Sequence, residues 1–168
     1  QAKYVIPYTG SGNIKYMRVD REFEGGKTPN GYVWLYPCNV DDVVEIETYA
    51  FYETNISSLQ LPVNLKKIGH GAFDGCSSLA GTLTLPESLE EIGGSCFYRC
   101  YMLEGTLTIP SKIKIIPETC FSDCNFSGDL IIPEGVVEIG SNAFTRSGHY
   151  KSLSLPNSLK TMKADLGT

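Results

Sequence analysis

The sequence predicts one β-rich solenoid, a right-handed superhelix or arc of short units that stack their strands in parallel. Three observations predict it. The string "GTLTLPESLEEIGGSCFYRC" begins at Gly81, "GTLTIPSKIKIIPETCFSDC" begins 24 residues later at Gly105, and the two agree at 9 of 20 positions. Phenylalanine recurs at Phe51, Phe73, Phe97, Phe121 and Phe144, with spacings of 22, 24, 24 and 23. Finally, an alternating apolar pair recurs as Leu59/Leu61, Leu83/Leu85, Leu107/Ile109, Leu130/Ile132 and Leu153/Leu155, each just before a proline (Pro62, Pro86, Pro110, Pro133, Pro156). Self-similarity at a fixed short period marks units that stack in one dimension.

Each unit reads the same way. The alternating pair with Ser or Thr beside it, as in "TLTLP", has the period of a strand with one buried face. The proline ends that strand because it has no N–H for the ladder. Three residues past each proline stands Leu65, Leu89, Ile113 or Val136, preceded in the first unit by Val43, and three further on stands Ile46, Ile68, Ile92, Ile116 or Ile139. Gly69, Gly93 and Gly140 follow and bend the chain back to the Phe. Helical periodicity is poor through this return, so short extended or 3₁₀ pieces are expected. A single unit buries too little apolar surface to offset its own ordering, and stacking supplies the missing contacts.

This pattern resembles the BspA-type leucine-rich repeats of bacterial surface proteins, whose unit reads roughly L-x-x-I-x-I-P-x-x-V-x-x-I-G-x-x-A-F-x-x-C. "ISSLQLPVNLKKIGHGAFDGC" from Ile56 to Cys76 follows it almost position for position, and "YKSLSLPNSLKTM" from Tyr150 to Met162 follows its first half. The resemblance runs from about Val40 to Met162 and implies a leucine-rich-repeat solenoid of about six 22–24-residue units within residues 35–168. The middle units carry one extra residue, read as a small bulge at Gly81. Pro117 takes the place of the usual Gly, Ser147 that of Cys, and Val40 that of Pro.

Residues 1–34 lie outside the repeat and are rich in aromatics (Tyr4, Tyr8, Tyr16, Phe23, Tyr32, Trp34). A solenoid end needs a cover, so these residues are expected to be an N-terminal cap, with a remnant of a preceding domain as the alternative. Two strands joined near Gly25-Gly26 are expected to supply it, with Trp34 or Leu35 packing on the first repeat.

Charge narrows the function. The net charge is −5, the pI is near 5.0 and no Lys/Arg cluster exists, which argues against nucleic acid or an anionic membrane surface as partner. No apolar run has the length of a spanning helix, so membrane insertion is not expected. The chain opens at Gln1 without Met or an apolar leader, as expected of a mature or trimmed chain.

Catalytic signals are poor, and no enzyme, metal site or cofactor is expected. Cys96/Cys100 and Cys120/Cys124 are spaced like paired zinc ligands. Yet Cys76, Cys100 and Cys124 share one repeat column, and Cys96 and Cys120 replace the small Ala beside Phe. Buried reduced thiols acting as small apolar groups account for all five better than a disulfide or zinc does. Cys38 fits no column. His70 and His149, the only histidines, stand in no nucleophile motif. Glu90-Glu91 and Asp41-Asp42 read as a solvated face. Asp20, Glu22 and Glu24 make a weak calcium pattern, and "GSGN" lacks the lysine of a phosphate loop.

The strand face is the better candidate, and it is expected to be concave. Its outward residues are Ser58, Gln60, Thr82, Thr84, Thr106, Thr108, Asp129, Ile131, Ser152 and Ser154. A ladder of short hydroxyls suits a solvated strand and also offers the extended surface that solenoids use to bind proteins. The resemblance implies a secreted or cell-surface binding module for a protein ligand, acting as a monomer, such as one that recognises a host matrix component. Carbohydrate recognition by exposed aromatics such as Tyr98, Tyr101 and Tyr150 is the second reading, and a passive spacer in a larger surface protein is the third.

Overall fold

The computed structural model describes residues 43–163, together with the backbone of β1 (Pro7–Tyr8) and β2 (Ile14–Tyr16). Among them no helix occurs, and the chain winds through about five turns of a parallel-strand solenoid. The segment ending in the isoleucine column forms β3 (Val43–Ile46), β4 (Lys67–Ile68), β6 (Glu91–Ile92), β9 (Ile115–Ile116), β11 (Glu138–Ile139) and β13 (Thr161–Met162). These pair in parallel with the repeat register kept, Ile46 beside Ile68 beside Ile92, and Ile116 beside Ile139 beside Met162. The return piece of each unit, expected only as short extended or 3₁₀ structure, therefore carries the longest ladder.

That ladder has one break. Strands β1-β2-β3-β4-β6 form one sheet and β9-β11-β13 another. At the bend after each strand, Gly69, Gly93, Gly140 and Lys163 donate N–H to Ile46, Ile68, Ile116 and Ile139 of the preceding unit. Pro117 holds that place between β6 and β9 and has no proton to give. The glycines also sit against the preceding unit's backbone, since a Cβ on Gly140 would stand 2.6 Å from the Glu118 nitrogen. Pro117 brings a Cβ to this contact, and the Phe rings on either side stand wider apart there than nearer the N-terminus.

The proline-terminated strands pair only in the later units. There β8 (Leu107–Thr108), β10 (Asp129–Ile131) and β12 (Ser152–Ser154) lie parallel and in register. In the second and third units, Leu59–Leu61 and Leu83–Leu85 form no ladder. The reason lies just upstream, where β5 (Ala80–Thr82) pairs with β7 (Met102–Glu104) two residues out of the repeat register, Thr82 opposite Glu104. Gly81, with φ 89°, turns the chain within that strand, where the extra residue falls. Each proline then opens a tight turn whose carbonyl accepts the N–H three residues on, from Pro62–Leu65 to Pro156–Leu159.

The Phe turns form the third side. Phe51, Phe73, Phe97, Phe121 and Phe144 are buried and lie face to face, with ring centroids 5.1, 5.1, 5.7 and 5.6 Å apart. Their backbones stack too, each Phe N–H reaching the carbonyl just before the next Phe. The residues two before and two after every Phe have left-handed φ, and only the second unit fills both places with glycine (Gly71, Gly75). The others use Tyr49, Glu53, Ser95, Arg99, Thr119, Asp123, Asn142 and Arg146, so the stack holds eight non-glycine residues in a costly conformation.

The cysteine column does more than fill space. Cys76, Cys100 and Cys124 donate S–H to the carbonyls of Phe51, Phe73 and Phe97 at 3.1, 3.3 and 3.3 Å. The same column holds Thr54 in the first unit and Ser147 in the fifth, so every unit places an O–H or S–H donor there. All five described thiols are free and buried, as the column argument expects. Burial raises the Cys76 thiol to about 11 against the opposing hydrogen bond from Thr54, and pushes Cys96, Cys100, Cys120 and Cys124 up as well.

At the N-terminal side, β2 pairs in parallel with β3, and β1 pairs antiparallel with β2. The connection expected near Gly25-Gly26 falls outside the described residues. Gly25, Gly26, Trp34, Leu35, Cys38, Val40, Asp41, Asp42 and the acidic run Asp20, Glu22 and Glu24 lie outside the described residues.

Candidate functional site

The alternation in each "x-L-x-L-P" segment fixes the outward set. With Leu83, Leu85, Leu107, Ile109, Leu130 and Ile132 turned into the core, the residues between must face out. Ser58, Gln60, Thr82, Thr84, Thr108, Ile131, Ser152 and Ser154 are exposed, and Thr106 and Asp129 are half-buried. Register brings Thr108, Ile131 and Ser154 into one row and Asp129 beside Ser152.

These polar groups are partly committed to each other. Ser152 Oγ donates to Asp129 Oδ1 at 2.7 Å, and the Asp129 N–H donates to Thr106 Oγ1 at 3.1 Å. Those bonds hold the side chains in one orientation, and Ile131 is the exposed apolar residue of the row. Ser58 and Gln60 lie on the units without a ladder, connected upstream by the Ala80 N–H to the Ser57 carbonyl.

The opposite ladder is charged and self-paired. Lys67 Nζ meets Glu91 at 3.1 Å, and Glu90 stands between Lys66 and Lys112 at 3.8 and 3.9 Å. The hydrogen bond to Glu91 raises the Lys67 ammonium above its ordinary value, though both groups are largely in water and contribute little. Glu90-Glu91 thus sit on a solvated face. His70 is exposed and meets the Tyr49 ring edge-on at 5.4 Å, and His149 is exposed beside Tyr150. Among the described residues no group of three His, Cys, Asp or Glu is placed to hold a metal.

Tyr150 is not an exposed aromatic: its ring packs against Phe126 and Phe144 at 6.3 and 6.5 Å, and its hydroxyl meets Ser147 Oγ at 2.6 Å. It belongs to a buried corner column, Ile56, Leu79, Leu103, Phe126 and Tyr150, that the repeat pattern hid. The residue type runs Ile, Leu, Leu, Phe, Tyr, and the offset from the preceding Phe varies between five and six. Tyr98 is half-buried under the Arg99 guanidinium, 5.0 Å from its ring, so Tyr101 alone of the three is exposed.

Comparison with known proteins settles the family. The BspA type leucine rich repeat region matches residues 44–166 in six copies. The chain belongs to the BspA-type leucine-rich repeat family. Among solved structures it is similar to a leucine-rich repeat protein of T. pallidum, with TM-score 0.57, 19% identity and 87% of each chain covered. It is also similar to a leucine-rich repeat protein of Bacteroides ovatus, with TM-score 0.55 and 20% identity. That match covers 76% of this chain but only 37% of the other. At such identities both show the shared fold. No curated protein gives a significant match. Repeats of this family are typically non-catalytic, protein-interacting modules associated with bacterial surfaces. No helix among the described residues is long and apolar enough to cross a membrane.

Proposed function

We propose that this BspA-type chain is a secreted or surface-attached, non-catalytic module that recognises a protein ligand through its strand face. The observation that carries the proposal is the aligned row of Thr108, Ile131 and Ser154, flanked by hydrogen-bonded Asp129 and Ser152, on a rigid parallel ladder. A solenoid repeats such a row from unit to unit and so presents an extended, pre-ordered surface that loses little entropy on binding. The ion-paired face is a poorer candidate because its charges are already neutralised locally. Host matrix and cell-surface proteins are the partner class that the family's surface association suggests.

The test is an immobilised panel of purified matrix and cell-surface proteins, probed with wild type and with the pair Thr108→Arg and Ser154→Arg. Both positions are exposed, so the fold tolerates the change. Two guanidinium groups in the row should weaken a specific partner at least about tenfold. Binding that ignores them argues for a different face, and no binding to any panel member favours the spacer reading.

A further inference from the structure

The Phe turns carry a concavity, separate from the strand face. It encloses about 310 Å³ and is lined by Glu53, Asn55, Gly75, Ser77, Arg99 and Tyr101. Its origin is legible in the repeat. Three successive units each contribute the residue two after their Phe and the residue two beyond that. The first supplies Glu53 and Asn55, the third Arg99 and Tyr101, and the middle one only Gly75 and Ser77. Two small residues between longer ones open the hollow.

The walls are fixed. Arg99 Nε and Nη2 donate to Asp74 Oδ1 at 3.3 and 2.9 Å, and Nη2 stands 3.7 Å from Glu53. Asp74 is almost wholly buried beneath them, so the guanidinium is held in one place. Tyr101 is half exposed and places an aromatic face at the rim. The combined charge of Glu53, Asp74 and Arg99 is negative, which opposes an anionic ligand. Fixed planar hydrogen-bonding groups, amide and hydroxyl side chains and one aromatic face complement a polyhydroxylated ring with an apolar underside.

We propose that this hollow is a binding site for one neutral pyranose residue, free or at the end of a glycan. Tyr101 stacks on the sugar's C–H face, and Arg99, Glu53 and Asn55 bond its hydroxyls. The site does not depend on the strand-face reading.

Amide chemical shifts of the intact chain are followed while methyl glycosides of neutral hexoses and N-acetylhexosamines, and glucuronate as the anionic control, are added. A saturable shift centred on Gly75 and Ser77, with Kd on the order of 1 mM, is expected for at least one neutral sugar. Tyr101→Ala, at an exposed position, should weaken it about tenfold while the rest of the spectrum stays native. Ser77→Trp, which fills the hollow, should abolish it. Free sugars and an oligosaccharide ending in the same residue should compete for one site. The proposal is overturned if no neutral sugar saturates, if Tyr101→Ala leaves the shifts unchanged, or if glucuronate binds tighter than the neutral sugars.

Discussion

Phe97→Ala is the most informative single perturbation of the stack. Phe97 is fully buried, with Phe73 at 5.1 Å on one face and Phe121 at 5.7 Å on the other. Truncating such a side chain removes its transfer free energy and leaves a cavity, together about 3–5 kcal/mol. The two ring pairs add about 0.5–1.5 kcal/mol each beyond area, so the upper half of that range is expected. In a chain of this size the melting temperature should then drop by roughly 8–20 °C. Phe144→Ala gives the internal comparison, because Phe144 ends the column with one stacked neighbour at 5.6 Å and should cost less. Thermal unfolding followed by circular dichroism reads both. A shift within a degree or two for Phe97→Ala, or a larger loss for Phe144→Ala, refutes the continuous ring column.

Three further outcomes follow from the local geometry. The buried thiols stay protonated in the fold with raised pKa values, Cys76 to about 11, while an unfolded chain ionises near 9.0. Their stabilisation is full below about pH 9 and is lost as pH rises toward 11, so the melting temperature should fall steeply in that window, less so in Cys96→Ala/Cys120→Ala. Thr119 is β-branched at φ 57°, where the second unit has Gly71 at 58°, so Thr119→Gly should stabilise by about 1 kcal/mol, and a lowered melting temperature would contradict the strain. Pro117→Gly returns an N–H and removes a Cβ at the break between β6 and β9. Hydrogen exchange should show a protected amide at position 117 and slower exchange on both sides.

The fold was legible because a solenoid repeats its constraints. Each inward position is tested five times along the chain, and columns such as Phe51 to Phe144 rise above the variable residues. The cysteine column was placed correctly but its chemistry was hidden, because the thiols' carbonyl partners on Phe51, Phe73 and Phe97 come from the preceding unit. Thr54 and Ser147 in that column were the available signal for a required donor. Position alone could not show that the proline-ended strands pair only in the later units, since that depends on how one extra residue shifts β5 against β7. The buried corner column escaped because it changes residue type and offset, which drew Tyr150 into the wrong class. The outward strand residues were readable from alternation, whereas the hollow beside Tyr101 exists only where three turns stack.

The proposed recognition surface is the strand face. Hydrogen exchange footprinting of the chain with a panel protein that binds it tests this most directly. Protection on binding is expected to concentrate on Thr106–Thr108, Asp129–Ile131 and Ser152–Ser154. Protection confined to the ion-paired ladder of Lys67, Glu91 and Glu138, or to the Phe turns, would contradict it.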